Sequence, residues 1–407
     1  MRRFFLTVLT ICLCLAALPV RAEENSAARE ITRDAQVTLF SFKRGADAAA
    51  LMDGDYRTEC EARKKGAYVE ITLPDDSPCH TLYALSVGDP ETLVVEEEIG
   101  GSWRKVPVEG KRFNIQCIPM DGSTHFRLSS TGDYLRLMEI RLFGAGELPP
   151  EIVNYHAVAD KADLLVLACH PDDDILWMGG LMPTYAGQLG MKVQVAYMAA
   201  DLSYRRCEAM DGLWHCGVRI GPIFAGLPDS GDVPYKKAVA MWGGSRAAAL
   251  RIARLIRETR PEVLVTQDRK GEYGHVQHRA MVSACTQAVK IAADPKEKKL
   301  KDLPVWEVKK YYIHLYPEDA LVLDFECPLS AFGGKSAFEV AKEAFALHTS
   351  QQSGRHEVEI DGPYDIRRYG LAYSAVGPDE AHDGLFEHID GLYEIERSLS
   401  RNKDGEV

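Results

Sequence analysis

The stretch LLVLACHPDDD, residues 164–174, decides the fold of this chain. Its apolar half, from Leu164 to Ala168, predicts a buried strand of a parallel sheet, because such strands are hydrophobic on both faces. Pro171 prevents a regular continuation of the strand, so one imidazole and three carboxylates follow at its carboxyl end. Functional sites of open α/β sheets usually lie at this end of the strands.

The chain downstream of this stretch alternates between helical and strand patterns. Strands are predicted at 192–198, 220–225, 263–266, 305–308 and 311–316. Helices are predicted at about 173–190, 203–216, 245–260, 275–292 and 338–348, with Ser245 capping the third. This alternation predicts a Rossmann-like, mostly parallel α/β sheet. No Gly-x-Gly-x-x-Gly follows the first strand, so a nucleotide cofactor is not expected.

A second polar set follows the strand at 263–266. Residues 267–278 read QDRKGEYGHVQH, and His275 and His278 lie on one face at the start of a predicted helix. A lone His-x-x-His is usually incidental, and a lone His-Pro-Asp-Asp favours an Asp-rich helix cap. A parallel sheet can bring both strand ends together, and the combination therefore favours a metal site. Three protein ligands with one open position are typical of a catalytic zinc.

The region before residue 144 has a different pattern. Short alternating runs, such as 68–73 and 135–142, are separated by turn residues and predict an all-β sandwich. The connector GAGELPP, residues 144–150, is the clearest boundary. We therefore predict a sandwich domain over 25–146 and an α/β domain over 155–400.

Residues 1–22 have the pattern of a signal peptide. A basic start at Arg2 and Arg3 precedes an apolar run, and small residues lead to a predicted cleavage site after Ala22. The mature protein is therefore expected to be secreted or extracytoplasmic, and no other apolar run has membrane-spanning length. The formal charge of −12 argues against nucleic acid or an anionic membrane as the main partner.

The cysteines give no disulfide pattern. The chain has ten, of which Cys12 and Cys14 lie within the predicted signal peptide, so eight remain. Export permits disulfides, but the spacing does not determine their pairing. Cys169, at the end of the core strand, is expected to be a buried thiol, and a local bridge between Cys207 and Cys216 is left open.

The loop LMDGDYRT, residues 51–58, resembles that of the discoidin-type, galactose-binding-like modules. These modules share a Leu-x-Asp-Gly-x-x-x-Thr loop and a final strand similar to residues 138–144. The resemblance implies a structural Ca²⁺ in the Asp-Gly loop and sugar binding by the opposite loops. Trp103 and Tyr83 are either sugar-stacking or core aromatics, and the core is the more frequent position for such residues.

Residues 161–387 resemble the LmbE-like, PIG-L family of zinc-dependent N-deacetylases. The family motif Ala-His-Pro-Asp-Asp-Glu, followed by Gly-Gly, is matched by residues 169–174 and 179–180. The Arg-x-x-Glu, Asp-Ser-Gly and Tyr-Gly-His-x-x-His motifs are matched by 205–208, 229–231 and 273–278. A later Lys…His-x-Ser-Gln element is matched by Lys342, His348, Ser350 and Gln351.

The resemblance implies a role for each matched residue. It implies that zinc is ligated by three residues, His170, Asp173 and His278. It implies three catalytic roles: general base for Asp172, oxyanion stabilisation or protonation of the leaving amine for His275, and polarisation of the acyl carbonyl for Tyr273. Arg205 and Asp229 would hold substrate hydroxyls. Two positions depart from the family pattern, since Asp174 replaces a Glu and Gln277 replaces a frequent Asp.

These observations predict an exported zinc hydrolase that removes an N-acetyl group from an amino sugar or glycan. Ferrous iron is an alternative metal, and the acyl group, the glycan and the oligomeric state are not determined. A second hypothesis is a non-catalytic glycan-binding surface protein that keeps its metal for stability. A third is a zinc amidase that acts on cell-wall peptide amides.

Overall fold

The computed structural model describes residues 26–401, except 88, 109–112 and 232. The predicted signal peptide lies outside the described residues. Within the described part of the chain, no helix combines the length and the apolar character needed to cross a membrane.

The N-terminal domain is the predicted β-sandwich. Its nine strands are β1 (Gln36–Phe40), β2 (Cys60–Ala62), β3 (Tyr68–Thr72), β4 (Cys79–Ser86), β5 (Leu93–Ile99), β6 (Ser102–Lys105), β7 (Ile115–Ser123), β8 (His125–Ser130) and β9 (Leu135–Phe143). One sheet has the order β1-β3-β8-β5-β6 and the other β2-β9-β4-β7. All pairs are antiparallel, and alternate side chains such as Val69, Ile71, Phe126 and Leu128 form the core between the sheets.

The second domain is the predicted α/β fold, with seven further strands. These are β10 (Leu164–Ala168), β11 (Val193–Ala199), β12 (Ile223–Leu227), β13 (Val263–Thr266), β14 (Lys310–His314), β15 (Ala320–Val322) and β16 (Arg368–Ser374). The order is β12-β11-β10-β13-β14-β16-β15. The first five strands in this order are parallel, and β16 and β15 add an antiparallel edge.

Seven α-helices cover the faces of this sheet. They are α1 (Asp173–Met178), α2 (Ser203–His215), α3 (Tyr235–Met241), α4 (Ser245–Thr259), α5 (Val276–Ala293), α6 (Ala337–Ala346) and α7 (Leu392–Arg401). A π-helical segment, Met182–Gln188, follows α1. Every side chain of β10 is fully buried, as expected for a central parallel strand.

Three local predictions were wrong. Residues 305–308 form no strand, because Trp306 instead packs beside α4 and α5 and donates to the Pro261 carbonyl. Ser245 is the first helical residue and not the cap, because Gly244, with a φ of 93°, occupies the cap position. The strand expected at 220–225 is shifted to Ile223–Leu227.

The two domains share buried contacts along α2. The Met138 and Cys207 sulfur atoms are 3.9 Å apart, and the Tyr56 hydroxyl hydrogen-bonds Asp211. The guanidinium of Arg57 lies 5.7 Å from the centre of the Tyr204 ring. The sandwich therefore packs directly against the helix that carries Arg205.

Candidate functional site

The site lies at the topological switch point of the sheet, where successive strands are added first on one side of β10 and then on the other. From β10 the chain proceeds to β11 and β12 on one side, and then crosses to β13 on the other side of β10. Leu164–Leu167 and Val263–Thr266 pair in parallel register, so the loops after both strands leave from the same edge. Such switch points open a crevice at the carboxyl ends of the strands, and both polar motifs of the sequence lie there.

The three residues predicted as zinc ligands form a compact triangle. His170 Nδ1 lies 3.0 Å from Asp173 Oδ2 and 3.2 Å from His278 Nε2, and the last two atoms are 3.1 Å apart. All three side chains are buried. Two imidazole nitrogens and one carboxylate oxygen are a donor set that Zn²⁺ accepts. The side chains therefore fit a metal ion bound between these three atoms.

Each of the three ligand side chains is oriented by a hydrogen bond to the atom that faces away from the triangle. His170 Nε2 lies 3.0 Å from Gln277 Oε1, so this nitrogen donates and leaves Nδ1 free to bind metal. His278 Nδ1 lies 2.7 Å from Glu272 Oε2, which leaves Nε2 as the ligand atom. The Trp177 indole donates to Asp173 Oδ1 over 2.9 Å, leaving Oδ2 in the triangle. Such outer contacts accompany most metal-binding histidines.

Electrostatics within the triangle favour a positive charge at its centre. Burial raises the pKa of Asp173, but the charge of His278 and the bonds from both histidines hold it well below its usual value. Burial lowers the pKa of His278, but Asp173 and Glu272 raise it to about 10. A cation between these side chains is thus strongly stabilised.

Asp172 lies beside the triangle in a strained conformation. Its φ of 156°, at the position before the first residue of α1, is one that L residues rarely adopt. Arg205 Nη2 donates to Asp172 Oδ1 over 2.8 Å. Burial and the charge of Asp173 raise the pKa of Asp172 to about 7. Strained residues held by their surroundings are frequent at active sites.

His275 and Tyr273 line the opening of a cavity of about 240 Å³ above the triangle. The His275 ring centre lies 4.3 Å from that of His278 and 4.9 Å from that of His170. Its Nδ1 is buried and has no hydrogen-bond partner among the described residues. Burial and then the two neighbouring histidines lower the pKa of His275 to about 4. Tyr273 is 46% exposed and stacks on His356, with 4.4 Å between ring centres.

The residues predicted to hold substrate also line this cavity. Asp229 Oδ1 lies 3.7 Å from His170 Nε2, and its Oδ2 lies 4.0 Å from Arg205 Nη1. The two departures from the family pattern lie behind the site. Gln277 bridges His170, the Ser230 amide and the Pro228 carbonyl. Asp174 is fully buried, and burial raises its pKa to about 8.

Three residues that contribute to the site were not predicted from the sequence. Glu272 and Trp177 hold His278 and Asp173, respectively, and His356 contacts the rings of both Trp177 and Tyr273. Glu272 lies inside the stretch quoted above, directly before Tyr273, and this position was the available signal. His356 follows the last matched motif by only a few residues, but nothing in its local sequence indicates a site.

Two other predictions can be located in the structure. The seven described cysteines from Cys60 to Cys285 form no disulfide, and Cys169 is a buried thiol. In the Asp-Gly loop, Thr58 Oγ1 lies 2.9 Å from Asp53 Oδ2, and the Gly54 amide donates to Glu139 over 3.3 Å. Calcium prefers such oxygen ligands, and a calcium ion at this loop stays a prediction.

Comparison with known families assigns the α/β domain. Residues 165–289, which contain both strand ends of the site, match the family model described as PIG-L: GlcNAc-PI de-N-acetylase. This match is to a family of N-deacetylases, hydrolases of amide bonds, and PIG-L enzymes are generally metal-dependent.

Two curated relatives bear the same activity in their names. The chain is 28% identical over 226 residues to 1D-myo-inositol 2-acetamido-2-deoxy-alpha-D-glucopyranoside deacetylase 1 of Catenulispora acidiphila, covering 49% of this chain and 69% of the relative. It is 28% identical over 256 residues to the deacetylase of the same substrate name from Geodermatophilus obscurus, covering 55% and 84%.

Two solved structures are similar to parts of the chain. N,N'-diacetylchitobiose deacetylase from Pyrococcus horikoshii is 19% identical with a TM-score of 0.36, over 47% of this chain and 71% of that chain. The family 32 CBM of Clostridium perfringens NanJ, solved with galactose, is 11% identical with a TM-score of 0.24, over 29% and 99%.

Proposed function

We propose that this protein is an exported, zinc-dependent deacetylase that removes the N-acetyl group from an amino sugar of a glycan. The observation that carries the proposal is the triangle of His170, Asp173 and His278, with 3.0–3.2 Å between ligand atoms, below a cavity that Asp172 lines. The names of both curated relatives, which specify a 2-acetamido sugar, support this substrate class.

The ligand set defines what a bound metal would contribute. Zinc held by His170, Asp173 and His278 would act as a Lewis acid and make water acidic enough to attack near neutral pH. Ferrous iron fits the same nitrogen and oxygen donors and is the alternative.

Asp172 is positioned to accept the proton of the attacking water. Arg205 donates a hydrogen bond to Asp172 Oδ1 and so fixes the orientation of the carboxylate. The second oxygen, Oδ2, is then available to accept the proton. A base held in this way contributes typically 10²–10⁴-fold to a reaction of this type.

His275 and Tyr273 act on the opposite side of the scissile amide. Both line the cavity, and His275 has a buried nitrogen with no hydrogen-bond partner among the residues that the structure describes. That nitrogen is available to the developing oxyanion or to the leaving amine, and the Tyr273 hydroxyl is available to the acyl oxygen. Arg205 and Asp229 then bind sugar hydroxyls at the cavity wall.

The proposal is tested by acetate release from N-acetylglucosamine and its oligomers, with metal content measured on each protein. Asp172→Asn should keep its metal and lose about 10²–10⁴-fold in kcat, because only the proton acceptor is removed. Asp76→Asn, an exposed change of the same type in the sandwich, serves as the control. A metal-loaded wild type that releases no acetate from any of these sugars would overturn the proposal.

Export is tested separately. Expression of the full chain in a bacterial host should yield a mature protein that begins at Glu23, recovered outside the cytoplasm. An intact N-terminus on protein retained in the cytoplasm would contradict this part of the proposal.

A further inference from the structure

A basic groove lies next to the catalytic cavity and has no role in the reaction described above. It has a volume of about 370 Å³ and is lined by the outer face of α5 together with Arg269 and Tyr235. We propose that this groove binds an acidic residue of the glycan substrate, through its carboxylate or sulfate group. The proposal rests on the proposed function and specifies its substrate class.

Two arginines in the groove lack an acidic partner. Neither Arg269 nor Arg279 has a carboxylate within ion-pair distance in the described part of the chain, although the chain carries 60 acidic residues against 48 basic ones. Arg254, on the exposed side of α4, shows the usual arrangement, because it pairs with Asp302 at 2.7 Å. Guanidinium groups without partners next to an active site are available to an anionic ligand.

Aromatic rings hold both guanidinium groups in place. The Arg279 guanidinium lies 5.4 Å from the centre of the Tyr235 ring, and that of Arg269 lies 5.3 Å from the centre of the Tyr316 ring. Arg269 also donates to the Tyr316 hydroxyl over 3.3 Å. Cation–π contacts of this length restrict the side chains, so binding an anion costs less conformational entropy than at free surface arginines.

The groove and the catalytic cavity share the same loops. Tyr273 and His275 line the cavity, whereas Arg269 and Arg279, just before and just after them, line the groove. On the next loop, Gly231 lines the cavity and Tyr235 the groove. Arg279 follows His275 by about one helical turn, roughly 6 Å along the axis. A single oligosaccharide can therefore contact both.

The remaining groups of the groove suit a sugar acid. Ser283 and Thr286 present hydroxyl groups on the exposed face of α5, while two guanidinium forks match the geometry of a carboxylate or sulfate. An acidic sugar needs both kinds of contact, because it carries hydroxyl groups around its anion. Charge and polarity therefore favour an acidic glycan over a neutral one.

The test compares two tetrasaccharides that both contain N-acetylglucosamine. Hyaluronan tetrasaccharide carries carboxylates and N-acetylchitotetraose does not, and both are titrated calorimetrically into the zinc-loaded protein. We expect the acidic one to bind roughly tenfold more tightly, a preference that falls as salt is raised because exposed charges are screened. Arg269→Gln and Arg279→Gln should each reduce this preference. Lys290→Gln, the same charge change near the other end of α5, should leave it unchanged.

The outcomes separate the groove from the reaction. Equal binding of both tetrasaccharides by the wild type, or a preference that survives both arginine substitutions, would overturn the proposal. A wild-type preference that is lost in both variants would support it even if no acetate were released from any sugar, in which case the proposed reaction alone would fail. Thermal unfolding of each variant verifies that the comparison is made on folded protein.

Discussion

Substitution of Glu272 directly tests how hydrogen bonds orient the predicted metal ligand His278. Its Oε2 accepts from His278 Nδ1 over 2.7 Å, and its Oε1 accepts from the Asp268 amide over 2.9 Å. The other neighbour of His278 Nδ1 is the Gln267 amide nitrogen, at 2.9 Å, which is itself a donor. Glu272 is thus the acceptor that keeps a proton on Nδ1 and leaves Nε2 free for metal.

The magnitude follows from this count of donors and acceptors. A glutamine at position 272 has one acceptor oxygen for two buried donors, so either His278 or Asp268 loses its partner. A hydrogen bond to a charged group contributes about 1.5–3 kcal/mol, and substitutions of such outer partners typically weaken metal binding 10–100-fold. We expect Glu272→Gln to bind zinc about tenfold more weakly, and Glu272→Ala about 100-fold more weakly.

The assay is a zinc titration in competition with a chelator of known affinity, at fixed pH. Glu318→Gln, an exposed change of the same charge, is the control. Thermal unfolding of the metal-free proteins separates a loss of fold from a loss of affinity. A zinc Kd within twofold of wild type for both variants, in folded protein, would refute the assignment of Glu272 as the residue that positions His278.

Three further predictions follow from the structure. His275→Ala should reduce kcat for acetate release by about 10²–10³-fold with little change in metal content, because it removes a donor to the oxyanion; steady-state kinetics with metal analysis checks this. Removing the metal with a chelator should lower the Tm, and adding zinc should restore it, because the ligand triangle exists only in the folded chain; calorimetry with and without zinc measures both. Burial is the main cause that raises the pKa of Asp211 from 3.8 to about 7. The Tyr56 hydrogen bond and the charge of Arg141 lower this pKa, whereas the charge of Glu208 raises it further. As pH rises, the Asp211 carboxyl therefore loses its proton at a lower pH in the unfolded chain than in the folded one. The free energy of unfolding should fall between about pH 4 and pH 7, and urea unfolding should show a smaller fall for Asp211→Asn.

The local sequence was sufficient to predict the bounds of strands whose hydrophobic pattern clearly favours one type of secondary structure. The five apolar residues of β10 and the three apolar residues and Thr266 of β13 have the predicted bounds, because a short apolar run followed by polar residues favours a buried strand. The strand prediction was wrong at 305–308, where three apolar residues and Glu307 belong to a loop that packs Trp306 on the helices. Packing of this one large, partly buried side chain outweighed the β-propensity of its neighbours.

The sequence by itself determined the fold class and the position of the site at two strand ends. The predicted ligands, the predicted base and His275 lie together at one edge of the sheet, because β10 and β13 are parallel neighbours at its switch point. Only the tertiary structure decided which groups orient those ligands and where the β-sandwich packs on the α/β domain. Glu272, Trp177 and the contacts along α2 act through side-chain directions and long-range packing, which the order of residues along the chain does not contain.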